Sequence, residues 1–270
     1  MPRTVLYLLL VGVAAATLLP LLWVWASALR ERTEIFAQPF ALPTRLYLGN
    51  LIEAWTNGHF GRYMLNSFVV VVPVVVGTGV LSALAGYALG ILRVPGERAM
   101  LAVFLVGYMM PFQAIMIPLY FLIRALNLMN TYWALILPEM ALYVPFGIFM
   151  MRNFFREVPR ELLEAAIIDG CGALQALRTV AIPIARQALL SLAIFVFMWN
   201  WNIFLLPLLV IQRPEMRTLP LGLMYFQSRD TSDWSLIAAG VTIMSLPIIA
   251  FYLITQRYFV RGITTGAIKE

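Results

Sequence analysis

The chain has 270 residues, of which 62% are apolar and only 12% charged, with a mean hydropathy of +0.86. Soluble domains are about 45–50% apolar and about 25% charged, so this composition excludes a soluble protein and indicates an integral membrane one. The net charge of +6 comes almost wholly from arginine, which suits basic loops retained at one membrane face and not nucleic-acid binding.

Six stretches are apolar enough to cross a hydrocarbon core that needs about 20 helical residues. They are residues 4–29, 63–92, 100–122, 132–151, 188–211 and 237–259. Each is expected to be helical, because lipid offers no partner to a free backbone amide. The first carries Ala26-Ser27-Ala28, which imitates a signal-peptidase site. Its apolar run is too long for the usual signal core of about 7–15 residues, so an uncleaved span is expected. Most spans contain proline: Pro20, Pro73, Pro111, Pro118, Pro138, Pro145, Pro207 and Pro247. Such kinks often line a cavity or let helices rock, although neighbouring helices can simply re-satisfy the freed carbonyls.

With the N-terminus inside, the inner segments carry 11 of the 19 Lys and Arg, Arg257 included, and 8 lie outside. This bias is modest and leans toward cytoplasmic termini. Two outer segments look structured. Residues 30–62 contain "LPTRLYLGNLIEAW", which predicts a short amphipathic helix at the interface. Residues 212–234 mix aromatics, charges and turn formers. Cys171 is the only cysteine and His59 the only histidine, which excludes an intrachain disulfide, cysteine or multi-histidine metal sites and histidine-based triads.

Residues 152–187, between the fourth and fifth spans, are the most charged part of the chain. "VPRELLEAAIID" starts a helix with Pro159 and Glu161 in the first turn. Leu163, Ala166, Ile167 and Gly170 fall on one predicted face, and Glu157, Glu161 and Glu164 on another. Gly170 and Gly172 break this helix, "ALQALRTVAI" starts a second, and Pro183 marks entry to the fifth span. A hairpin resting on lipid would carry flanking basic residues. Four acids here (Glu157, Glu161, Glu164 and Asp169) would be repelled by an anionic leaflet, which favours a protein partner bearing arginines.

Glu164-Ala165-Ala166, Asp169-Gly170-Cys171 and Val180-Ala181-Ile182-Pro183 resemble the EAA motif of bacterial ABC importer permeases. Cys171 replaces the usual alanine, Leu177 a common phenylalanine, and Val180 and Ile182 the usual Ile and Leu. "LNSFVVVVPVVVGTGVLSALAGYALG" with "RVPGER", and "IPLYFLIRALNLMNTYWALILP", narrow the resemblance to the carbohydrate-uptake group that includes the second maltose permease. Trp201-Asn202, Phe204-Leu205 and Pro207-Leu208 match a further signature, with Ile203 where an acidic or polar residue is frequent. "QRYFVRGITTGAIKE" is similar to the group's tail.

The resemblance implies an all-α integral membrane protein of the type I ABC importer permease fold, with residues 1–270 as one transmembrane domain in the bacterial inner membrane. It has six transmembrane helices and a cytoplasmic coupling-helix loop. It implies a heterodimer with a homologous second permease, two ATPase subunits and an external sugar-binding protein. Glu164, Ala165, Ala166, Asp169, Gly170 and Pro183 would then couple to the ATPase, with Glu164 as charged anchor and Gly170 as the bend.

No cofactor is expected on this chain. Once ATP dependence is granted, a Walker A loop requires lysine after glycine and before serine or threonine, and Lys269 stands between Ile268 and Glu270. ATP and Mg would therefore sit on partner subunits, and the chain is expected not to be an enzyme. Asn200, Trp201 and Asn202 could line a sugar path or bond neighbouring helices. Glu139 in the fourth span should be paired or cavity-facing, with Arg124 as its candidate partner. The Met-rich "YMMPFQAIMIP" is expected to fill packing around kinks. The solute could be a sugar, an oligosaccharide, a polyol or a glycerol phosphate ester. A secondary transporter would show more buried acids and internal repeats, and a membrane enzyme more His, Asp or Lys. A membrane scaffold leaves the motif spacing unexplained.

Overall fold

A computed structural model describes residues 3–38, 41–92, 94–227 and 233–267, with the side chains of Phe36 and of 257–267 outside the description. Arg93 and Arg229 of the charge tally, and most of the tail from Arg257 onward, therefore lie outside the described residues or side chains. What is described is helical: α1 (Arg3–Ala28), α2 (Arg32–Ala37), α3 (Gly49–Thr56), α4 (Phe60–Gly90), α5 (Glu97–Met109), α6 (Phe112–Ala125) and α7 (Trp133–Arg156) come first. There follow α8 (Arg160–Ile168), α9 (Ala173–Ala176), a π-helical segment (Leu177–Ala181), α10 (Ile182–Ile184), α11 (Arg186–Trp201), α12 (Leu205–Val210), α13 (Leu219–Gly222) and α14 (Trp234–Ala267). Among the described residues four helices are long and apolar enough to cross a membrane, and up to six spans result if each of two bent pairs counts as one.

Prolines decide where the expected spans break. The third is two helices, α5 and α6, bent by 95° at Met110-Pro111. The ring of a proline pushes the preceding residue out of the helical region, and Met110 sits at φ −69°, ψ 123°. The fifth stops at Trp201 and resumes as α12 from Leu205. A continuous helix would drive the Pro207 ring into the carbonyl of residue 203, whereas a restart at 205 puts Pro207 in a first turn. The fifth span also enters at an angle, 77° from the segment Ala173–Ile184.

The chain divides into two compact units, residues 1–66 with 217–249 and residues 67–216 with 250–270. In the first, the buried Arg30 caps the end of α1's connection. Its Nη2 donates to the carbonyls of Glu34 (2.7 Å) and Gln38 (2.6 Å). Buried Asn50 donates to the carbonyls of Ala28 (3.0 Å) and Arg30 (2.7 Å), which fixes the predicted amphipathic helix α3 to the same turn. Arg32 bridges Glu53 (3.1 Å) and Asp233 (2.8 Å). Residues 219–226, expected as an outer loop, form α13 and a 3-10 turn whose Leu219, Leu221 and Phe226 are buried. Phe226 stacks on Phe60 at 5.4 Å. The segment is structured, as its mixed aromatics suggest, and its buried Phe226 and leucines make part of it core.

In the second unit, α4 and α7 approach backbone to backbone. Ser82, Gly86 and Gly90 recur every four residues, and a Cβ at Gly86 would lie 2.7 Å from Met151 Cβ and 2.9 Å from the Arg152 amide. Small residues at this spacing let membrane helices meet closely. Arg152 also clasps Glu97 at the start of α5, Nε to Oε1 2.7 Å, and α5 packs on α7.

Candidate functional site

The charged segment folds as a closed elbow. α8 starts after Pro159, whose missing N–H is harmless there, with Glu161 in its first turn. Asp169 caps its end and Gly170 takes φ +80°, the left-handed conformation that a side chain resists. The Cys171 amide then donates to the Ala166 carbonyl (2.9 Å) and the Gly170 amide to Ile167 (2.9 Å), the paired bonds of a Schellman closure. Gly172 is not left-handed. It is extended at φ −70°, ψ 165° and starts α9.

α8 packs on the π-helical segment, and the buried residues of the pair are Leu163, Ala166, Leu177 and Ala181. The expected inner face is therefore only half right: Leu163 and Ala166 are inside, whereas Ile167 and Gly170 are exposed. A nine-residue helix that ends in a reversal buries only the turns facing its return limb. Leu162, Ile168 and Leu174 are left exposed beside the acids, Ile168 at 85%. Glu164 and Ala165 are exposed, and Glu164 makes no ion pair among the described residues. Pro183 lies exposed in α10, two residues before the chain turns at Ala185 into α11. The exposed apolar tip is a feature that the charge pattern alone missed; "LL" and "II" flanking E-A-A are its signal in the sequence.

Of the span residues, Glu139 on α7 and Asn200 on α11 are brought together, both buried, with Asn200 Nδ2 donating to a Glu139 oxygen. The other Glu139 oxygen and Asn200 Oδ1 find no hydrogen-bond partner among the described residues. The expected Arg124 partner is not there. Arg124 is exposed on α6, and Glu139 takes a neutral amide from the helix packed against its own, so no second charge is buried. Trp201 is buried among aromatic rings, 5.3 Å from Phe197 and 4.9 Å from Phe68. Asn202 is exposed and turns back to cap α11, donating to the Met198 carbonyl at 2.7 Å.

The family model of the binding-protein-dependent transport system inner membrane component matches residues 82–265, which includes the whole elbow. The chain is 37% identical over 264 residues to "Probable ABC transporter permease protein YurM" of Bacillus subtilis, covering 98% of this chain and 86% of that protein. It is 32% identical to "Diacetylchitobiose uptake system permease protein NgcG" of Streptomyces coelicolor, over 97% of this chain and 87% of that one. It is 34% identical to "Trehalose transport system permease protein SugB" of Mycobacterium tuberculosis, over 98% and 96%. Among solved structures, a chain of a bacterial ABC transporter involved in the import of the acidic polysaccharide alginate shares the fold, with a TM-score of 0.80 at 22% identity over 95% of this chain and 96% of that one. Proteins of this kind are permease subunits without ATPase chemistry of their own. An all-α membrane protein carrying the elbow just described, the chain belongs to the family of binding-protein-dependent transport system inner membrane components.

Proposed function

We propose that this chain is one of two homologous permeases in an ATP-driven importer of a sugar or oligosaccharide, a polyol or glycerol phosphate ester being the wider solute class. The uptake systems named in its relatives, for diacetylchitobiose and trehalose, support that solute class. Two ATPase subunits hold ATP and Mg, and an external binding protein delivers the solute. Residues 1–270 act as one permease domain, with both termini and the 152–187 segment in the cytoplasm.

One observation carries the coupling role: Glu164 is exposed and, among the described residues, unpaired on a helix that Gly170 closes. An exposed acid beside the apolar Ile168 and Leu162 fits a cleft that offers an arginine and an apolar floor. Glu164 is the anchor, Ala165 and Ala166 keep the helix slim, Asp169 and Gly170 close it, and Pro183 marks the turn toward α11. Closure of the ATPase pair moves this elbow, and a rigid elbow passes the displacement to α11. Asn200 sits on that helix, and its bond to Glu139 ties the motion to α7. Glu139, Asn200, Trp201 and Asn202 are the candidate solute path, with the two unsatisfied oxygens of the Glu139–Asn200 pair as acceptors for solute hydroxyls.

The test is uptake and ATPase activity of the reconstituted complex. Glu164→Arg and Gly170→Pro are expected to leave ATP hydrolysis running while solute uptake falls at least ten-fold. Normal uptake in both variants overturns the assignment.

A further inference from the structure

A cleft of about 660 Å³ opens where α4 ends, α5 begins and α7 hands over to α8. Its apolar wall includes Leu89, Phe155, Val158 and Leu163, and its rim carries Arg156 and Arg160. Both arginines are exposed, and neither makes an ion pair or hydrogen bond among the described residues. Two acids line the same cleft. Glu97 is held by Arg152, and Glu164 is the acid assigned above to the ATPase; Glu157, Glu161 and Asp169, which an anionic leaflet would repel, do not line the cleft. Arg156 and Arg160 therefore leave the cleft a net positive charge even with Glu164 counted against them. The first turn of α8, which starts at Arg160 without a side-chain cap, adds free amides at the same rim.

We propose that this cleft binds the phosphate headgroup of an anionic phospholipid. Guanidinium groups grip phosphate oxygens in pairs, and a positive excess favours an anionic headgroup over a zwitterionic one, which would leave it unbalanced. Depth selects lipid over a soluble partner. Leu89 and Phe155 lie in the last turns of two helices long and apolar enough to cross a membrane, which puts this side of the cleft near the ends of those spans. Basic pockets between helix ends at a membrane face are where acidic lipids are held. Leu92 and Met100, on either side of the α4–α5 turn, are exposed and offer an acyl chain its bed. The apolar tip at Leu162, Ile168 and Leu174 is left to the ATPase. Lipid at the root of α8 would brace the elbow against the membrane.

The experiment purifies the complete complex from mixed phosphatidylethanolamine and phosphatidylglycerol nanodiscs and counts retained lipid by mass spectrometry. Wild type is expected to retain phosphatidylglycerol preferentially. Arg156→Gln/Arg160→Gln should retain at least five-fold less, and the exposed control Arg45→Gln should match wild type. Both arginines are exposed, so the core is undisturbed; if the pair accumulates poorly, Arg160→Gln alone carries the same reading. Equal retention in all samples overturns the proposal. So does loss of the ATPase subunits with lipid unchanged, which would make the cleft a protein interface. Displacement of the lipid by millimolar inorganic phosphate would mark a free-anion site and also overturn it. Lipid retention is read without transport, so this inference fails independently of the coupling role.

Discussion

Gly170 and Gly172 lie two residues apart and interrupt the same helical run for different reasons. Gly170 needs the left-handed conformation at φ +80°, and Gly172 only needs an extended turn into α9. Alanine at 170 should therefore destabilise the elbow by about 1 kcal/mol, while alanine at 172, where nothing lies within 4 Å, should cost little. Hydrogen exchange across residues 160–185 checks this: faster exchange in Gly170→Ala only. Glu139 and Asn200 pose a second question of single residues. Asn200→Leu removes the donor to a buried carboxyl and should lower stability by about 1–3 kcal/mol, read as the melting temperature of the detergent-purified complex. Glu139→Gln keeps an amide partner for Asn200 and should fold, yet change uptake. If both stability and uptake stay normal in Glu139→Gln, the pair is packing and nothing more.

At the scale of elements, helix contacts are set by the smallest side chains and helix ends by the prolines. The Ser82, Gly86, Gly90 stripe brings α4 onto α7 near Met151 and Arg152. Gly86→Val has no room there and should cost about 1–3 kcal/mol through overpacking. Lower membrane accumulation and earlier aggregation on heating are expected; wild-type behaviour would mean that the two helices do not touch at this point. The stripe is visible in "SALAGYALG", but its partner is not, because Met151 and Arg152, which Gly86 meets, lie more than sixty residues on in sequence. Pro111 and Pro207 break their spans, whereas Pro73, Pro138, Pro145 and Pro247 sit inside unbroken helices. Inside a helix each proline forfeits one backbone hydrogen bond, whereas Pro111 and Pro207, at the starts of α6 and α12, forfeit none.

For the whole molecule, the exposed apolar surface is the governing fact. None of the most apolar window of α1 is buried within the chain, and Ser27 and Ala28 at its end are its only buried residues. Such a helix is stable only in lipid or against another subunit. Orientation is the global property that the arginine bias leaves weakest, and the single cysteine offers a direct probe. Cys171 is half-buried in the elbow. A membrane-impermeant maleimide should label it in inverted vesicles lacking the ATPase subunits and not in intact spheroplasts. Co-expressed ATPase should slow that labelling several-fold. Labelling from the outer face of intact cells would invert the topology and remove the coupling role with it.

Composition and linear spacing alone determined a membrane protein, its apolar runs, the E-A-A to D-G to Pro register and the family that register resembles. These are legible because lipid solvation, helix periodicity and left-handed glycine turns act over a few neighbouring residues. Tertiary structure alone decided that Glu139 meets Asn200 and not Arg124, that Leu219, Leu221 and Phe226 are core, and that Ile168 faces outward beside Glu164. Each of those outcomes depends on which distant helix or return limb lies alongside. A buried carboxyl takes whatever donor packing supplies, and no local pattern in the chain records that choice.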